Sequence, residues 1–196
     1  MAGFSGGRKL IAPGVAYQDT IKTLHSPRFM RDVRAVEGSI NENPLHKELL
    51  EIAGMAGHDF VLDVVLAEGR KVAAAFAGEP RQAHGAGIAF VRETTTEWIP
   101  HPVDAAVTSA AGYPLDLTFY QVVKGVTAAS HIVKPGGIIL LMAACDEGPG
   151  AHEFSRLLIQ SPDPASFLET IFKLPVTIDQ WQLEKLALVC QTHKVW

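Results

Sequence analysis

The 196-residue sequence predicts an α/β protein of two lobes: the second a Rossmann-like parallel-sheet domain, the first an incomplete α/β domain with a β-hairpin. Three observations carry that expectation. Strand and helix signals alternate along the chain with no repeat or low-complexity tract. The run Ile138 to Ala144 is almost unbroken apolar sequence, as in a parallel strand covered on both faces. Between them, Thr94-Thr95-Thr96-Glu97-Trp98-Ile99-Pro100-His101-Pro102 combines β-branched residues with two prolines, which suits an extended linker. The boundaries are accordingly set at 1–97 and 98–196.

Each element has a local reason. Residues 17–24 carry helical spacing, and so do 44–57, where Leu45, Leu49, Leu50 and Ile52 share a face. Asn43 is a natural cap for that second helix and Pro44 a natural first residue. Phe60 to Leu66 reads as a strand, Glu68-Gly69-Arg70 as a turn and Lys71 to Phe76 as the returning strand of a hairpin. Residues 79–92 return to helix. In the second lobe, Val103 to Thr108 is expected as a buried strand, and Leu115 to Val133 as a long helix closing before Lys134-Pro135-Gly136-Gly137. Helices at about 151–160, 164–173 and 179–192 follow the apolar strand, and Lys194-Val195-Trp196 reads as a last strand cut short.

Composition narrows the function classes. The hydrophobic fraction is 47% and the charged fraction 19%, so the chain can bury a core and is not disordered. Its net charge of -4 gives no general attraction for nucleic acid or anionic membrane. Cys145 and Cys190 lie in apolar stretches expected to be core, and two such thiols do not make a disulfide framework. No apolar stretch is long enough for a signal peptide core near residues 1–15 or for a membrane span elsewhere. A cytoplasmic protein is expected.

Chemistry concentrates in three places. Gly3-Phe4-Ser5-Gly6-Gly7-Arg8-Lys9 offers a flexible backbone that can form a nest for phosphate, beside an amine that can anchor phosphate or form a covalent bond. It is not a Walker A loop, because Leu10 rather than Ser or Thr follows the lysine. The same residues would also make an ordinary surface turn. His25 ends a helical stretch, where a histidine also simply complements the helix dipole. No HExxH or CxxC spacing occurs, so a metal held at His25 would take its other ligands from a cofactor. Gln121 and Lys124, three apart on one helix, can present an amide and an ammonium to a single carboxylate, or stand as solvated surface residues.

Taken together, these residues resemble the nickel-dependent lactate racemase family. Gly3 to Lys9 followed by Pro13-Gly14 is similar to that family's tethering motif, and Tyr120-Gln121-x-x-Lys124 to its substrate-contact helix. His25 falls at the metal-ligand position. Further likeness lies in Asn43-Pro44-Leu45-His46, the stretch from Gly78 to His84, Lys134-Pro135-Gly136-Gly137, Glu147-Gly148-x-Gly150 and Asp179-Gln180-Trp181-Gln182.

The resemblance implies that Lys9 covalently holds a nickel-pincer nucleotide installed by maturation enzymes, with Ser5, Gly6 and Gly7 lying near it. His25 would complete a roughly square-planar nickel site, a geometry that suits Ni(II). Gln121 and Lys124 would orient the carboxylate of a 2-hydroxy acid, whose Cα gives a hydride to the cofactor and takes it back on the opposite face. The family also carries an upstream half-domain with paired acid/base histidines, and His46, His84 and His101 do not match those positions. A missing general base typically costs 10²–10⁴-fold in rate. The expectation is therefore an inactive chain on its own, either a fragment or one part of an assembly with a missing N-terminal half-domain or partner chain. Two other functions fit the residues: a non-catalytic binding or assembly module of this fold, and a plain phosphate- or nucleotide-binding domain using Gly3 to Lys9.

Overall fold

Asn43 begins the best-defined helix of the first half. Its Oδ1 accepts the backbone N–H groups of Leu45 and His46 at 3.0 and 3.2 Å, satisfying two donors that a helix start leaves orphaned. In the computed structural model, which describes residues 3–161 and 163–196, the chain divides into two units, Met1–Trp98 and Ile99–Trp196. Met1 and Ala2, the first residues of the expected first lobe, lie outside the described residues.

The first unit runs from a 3₁₀ turn at Gly7–Leu10 through α1 (Gln18–Leu24), α2 (Pro27–Met30) and α3 (Pro44–Met55) to strand β1 (Val61–Leu66). A short 3₁₀ turn at Glu68–Arg70 then leads into β2 (Val72–Gly78) and α4 (Pro80–Thr95). β1 and β2 pair antiparallel, with Leu62 opposite Ala77 and Val64 opposite Ala75. Alternation along the hairpin sends Val61, Asp63 and Val65 toward α4, while Leu62, Val64 and Leu66 are exposed on the other face. α4 runs further than the sequence suggested. Thr94 and Thr95, expected in the linker, close its last turn by donating their hydroxyls to the carbonyls of Phe90 and Val91, each at 2.8 Å.

The second unit contains β3 (Val103–Thr108), α5 (Phe119–Ser130), β4 (Val133–Leu141), α6 (His152–Gln160), α7 (Pro164–Thr170), α8 (Gln180–Thr192) and β5 (Lys194–Val195). The three strands form a parallel sheet in the order β3-β4-β5. α5 and α8 pack on one face, where Ile139 is fully buried among Val123, Val126, Phe154 and Leu183.

Four expectations need correction here. β3 is not a buried strand: Val107 is 71% exposed, and Ile138, Leu140 and Met142 of the apolar run are exposed as well. The helices of this unit cover one face of the sheet, so only alternate residues reach the core. α5 starts at Phe119 rather than Leu115, because Thr118 is extended and its hydroxyl accepts from Gln121 N–H, fixing the cap there. Lys134-Pro135-Gly136-Gly137 does not separate helix from strand but bulges out within β4. Val103 pairs with Val133 and Ala105 with Ile138, so the intervening residues loop away. Cys145 and Cys190 are half-buried rather than core. Among the described residues, no helix is long and apolar enough to cross a membrane.

Candidate functional site

The glycine-rich loop of the first unit lies against side chains from two distant elements. Gly7 N–H donates to both carboxylate oxygens of Asp63 on β1, at 3.2 and 3.1 Å. Gly6 has φ +75°, and a Cβ there would stand 2.5 Å from Asp63 Oδ1. Gly7 has φ +51°, and its Cβ would stand 2.6 Å from the His84 ring on α4. Both positions therefore require glycine for conformation and for close approach. Occupation of Gly7 N–H by a carboxylate weighs against an open phosphate nest at that residue.

Lys9 follows in the 3₁₀ turn, half-buried, with its ammonium donating to the carbonyl of Gly3. Its neighbour Arg8 points inward and is only 2% exposed. Arg8 Nη1 lies 3.0 Å from His84 Nε2 and donates to Phe4 O at 3.4 Å. His84 Nε2 is also 2.9 Å from Ser5 O, so its tautomer decides which of these neighbours it bonds. Burial lowers the ring's pKa; the bond to Ser5 O opposes that shift and the adjacent guanidinium adds to it. Burial and the same guanidinium act more strongly on His46 of α3, whose pKa is pulled down to about 4.

His25 caps the C-terminal end of α1. Its Nδ1 donates to Ile21 O at 2.9 Å, and a carbonyl can only accept, so Nδ1 carries a proton, which in the neutral ring leaves the lone pair on Nε2. That is the tautomer a metal-ligating imidazole needs. Among the described residues no group of three or more His, Cys, Asp or Glu side chains is placed to hold a metal ion.

In the second unit, Gln121 and Lys124 share one face of α5, and Lys124 Nζ donates to Gln121 Oε1 at 2.5 Å. Partial burial of the Lys124 stem lowers its ammonium pKa, a modest effect on a side chain that stays exposed. The first turn of α5 is fixed by the loop after β4: Phe119 and Tyr120 N–H donate to Gly148 O and Pro149 O at 3.0 and 3.1 Å. Gly150 permits this fit. Its φ is +97°, and a Cβ would come within 2.9 Å of Thr118.

Tyr120 ties the same turn to α8. Its hydroxyl donates to Asp179 Oδ1 at 3.0 Å, and Gln182 Nε2 donates to its carbonyl at 2.7 Å. Its ring meets Phe154 and Trp181 edge-on, at 5.3 and 6.1 Å between centroids. Burial, then the Asp179 charge, raises the phenol pKa far above its usual value, so Tyr120 serves as a neutral donor.

The sequence pointed to Ser5, Gly6, Gly7, Lys9, His25, Gln121 and Lys124, but not to Asp63, Arg8 or Tyr120 as the groups that position them. A polar residue at an inward position of the otherwise apolar β1 was the available signal for Asp63. His84 lies 76 residues from Arg8, and local patterning carries no sign of such a contact.

The neutral histidines give a testable pH dependence. With folded pKa values below the unfolded value near 6.5, the unfolded chain takes up protons first as pH falls. Stability is thus fully present above about pH 6.5 and declines toward pH 4, with His46 alone contributing a loss on the order of 2 kcal/mol. Urea midpoints measured from pH 7.5 to 4.5 check this. A wild-type curve no steeper than that of His46→Gln would count against it.

Comparison with known proteins completes the picture. The lactate racemase C-terminal domain family matches residues 99–196, and the lactate racemase N-terminal domain family matches residues 1–38. The chain is 39% identical over 200 residues to a lactate racemase of Thermoanaerobacterium thermosaccharolyticum, and 38% over 198 residues to one of Lactiplantibacillus plantarum. Each match covers 99% of this chain and 46% of the relative, so the chain spans about half the length of these curated relatives. The solved lactate racemase apoprotein of T. thermosaccharolyticum superposes with a TM-score of 0.91 at 38% identity, covering 99% of this chain and 47% of that one.

Proposed function

Because the chain belongs to the lactate racemase family, we propose that it carries the cofactor-holding and substrate-orienting residues of an isomerase interconverting the stereoisomers of a 2-hydroxy acid. Lys9 holds a nickel-pincer nucleotide through its side-chain nitrogen, and His25 supplies a ligand to the nickel. When bound, that group provides hydride acceptance and return at the substrate's Cα. Gln121 and Lys124 bind the substrate carboxylate, and the bonds from Tyr120 to Asp179 and Gln182 hold their helix turn in place. Acid/base groups for the hydroxyl proton are assigned to the remainder of the full-length architecture, either a half-domain or a partner chain. Maturation enzymes load the cofactor. We assign the protein to the cytoplasm, where its free thiols Cys145 and Cys190 stay reduced.

The observation that carries this reading is the His25 Nδ1–H bond to Ile21 O, 2.9 Å long, which fixes the ring through Nδ1, as a metal-ligating histidine is fixed through its other ring nitrogen. In this reading the other donors come from the tethered group. The test is metal analysis of His25→Ala made together with the maturation enzymes. Nickel per chain falls by about tenfold or more relative to wild type, while the nucleotide adduct remains. Unchanged nickel would remove His25 from the site. A plain nucleotide-binding domain would instead bind ATP equally well with or without His25.

A further inference from the structure

We propose that the cavity between the Gly7–Leu10 turn, α3 and α4 is a binding site for a small oxyanion, seated on the unpaired edge of the Arg8 guanidinium. Arg8 uses Nη1 toward His84 and Phe4, whereas Nε and Nη2 are buried and have no hydrogen-bond partner among the described residues. These two N–H groups lie on one edge of the guanidinium, the fork that matches a carboxylate or phosphate with two parallel bonds. A buried guanidinium is costly unless it is both charge-compensated and hydrogen-bonded; Asp63 acts on Arg8 only through space, and the nearby acids direct their hydrogen bonds elsewhere. Both Asp63 oxygens accept from Gly7 N–H, and Glu79 caps α4 by accepting from Arg81 and Gln82 N–H at 3.1 and 2.9 Å.

The cavity is built for a small anion. Its volume is about 140 Å³, and Arg8, Arg81, His46, His58 and His84 contribute to its wall, together with Glu79. That space is well below the roughly 300–1,000 Å³ of a drug-sized ligand pocket, so a nucleotide does not fit while inorganic phosphate or a short carboxylate does. His46, which lines the same cavity, adds a third buried polar atom with no hydrogen-bond partner, its Nδ1. The free Arg8 edge is closed to solvent, so an oxyanion reaches it only by displacing part of the cavity wall. The Arg8 pKa, lowered to about 10 by burial and only partly restored by Asp63, is consistent with a cation short of negative charge. The site stands apart from the nickel reading, since it uses neither Lys9 nor His25.

The experiment follows the Arg8 Nε–H resonance of the purified protein by nitrogen-proton NMR. Sodium phosphate, sodium acetate and sodium chloride are titrated at matched ionic strength. The expected result is a saturable shift with phosphate, acetate or both, which distinguishes the tetrahedral from the planar oxyanion, and none with chloride. At ten times the dissociation constant, Tm rises by about 3–6 °C over the chloride control. Arg8→Lys keeps the charge but loses the fork, and it abolishes the Tm response. Should that variant fail to fold, Gly85→Leu serves instead: Gly85 lines the cavity, and an added Cβ there meets nothing within 4 Å. Gly85→Leu fills the space and abolishes both responses with Arg8 intact. A linear or absent shift up to about 50 mM, an equal response to chloride, or full retention in Gly85→Leu would overturn the proposal.

Discussion

Lys9→Ala, produced together with the cofactor-maturation enzymes, is expected to emerge at its bare polypeptide mass, and the parent chain with a nucleotide-sized adduct. The effect is all-or-none because a covalent attachment needs a nucleophilic side-chain nitrogen, and alanine has none. Lys9→Arg gives the same result despite keeping the positive charge, since a guanidinium stays protonated and is not a nucleophile here. The half-buried placement of Lys9 in the turn, with its ammonium drawn to the carbonyl of Gly3, restricts the orientation of the side chain. Intact-mass spectrometry with peptide mapping reads the outcome directly. An adduct that persists in Lys9→Ala, or one mapped to another residue of the parent, removes Lys9 as the tether while leaving the fold assignment untouched.

Phe154→Ala destabilises the second unit by about 3–5 kcal/mol, the range for truncating a buried aromatic. Phe154 is fully buried, and its ring lies 6.1 Å from Phe119 and 5.3 Å from Tyr120. It thus supports the first turn of α5, where Gln121 and Lys124 sit. The loss combines transfer of the ring with a cavity that helices α5, α6 and α8 cannot close, since each is already fixed by its own packing. Phe154→Leu retains most of the volume and costs less than about 1.5 kcal/mol. Urea unfolding followed by tryptophan fluorescence measures both, with Trp181 reporting from the same core. A loss under about 1 kcal/mol for the alanine variant would show that this core relaxes freely.

Much of the fold was legible because the signals are local. The Asn43-Pro44 start of α3 and the turn between β1 and β2 each depend on residues within a few positions of one another. Helix α4 overran its expected end because threonines, poor helix formers in general, closed the last turn through their own hydroxyls. The expected burial of β3 and of the Ile138 run failed for a different reason. Apolar sequence states that a strand can be covered on both faces, while coverage depends on where helices pack, and here they pack on one.

The site divides along the same line. By itself the sequence determined which chemistry-bearing residues exist and how they are spaced: an amine after a glycine loop, an imidazole at a helix end, and an amide and an ammonium on one helix face. Those are short-range facts, fixed by backbone geometry once each element forms. Only the tertiary structure decided that Asp63 would claim Gly7 N–H, that His84 would meet Arg8, and that Asp179 and Gln182 would hold Tyr120. It alone left one edge of a buried guanidinium unpaired beside a cavity. Contacts across dozens of residues have no periodicity to read, because they arise from the packing of whole elements and from which polar groups that packing shuts away from water.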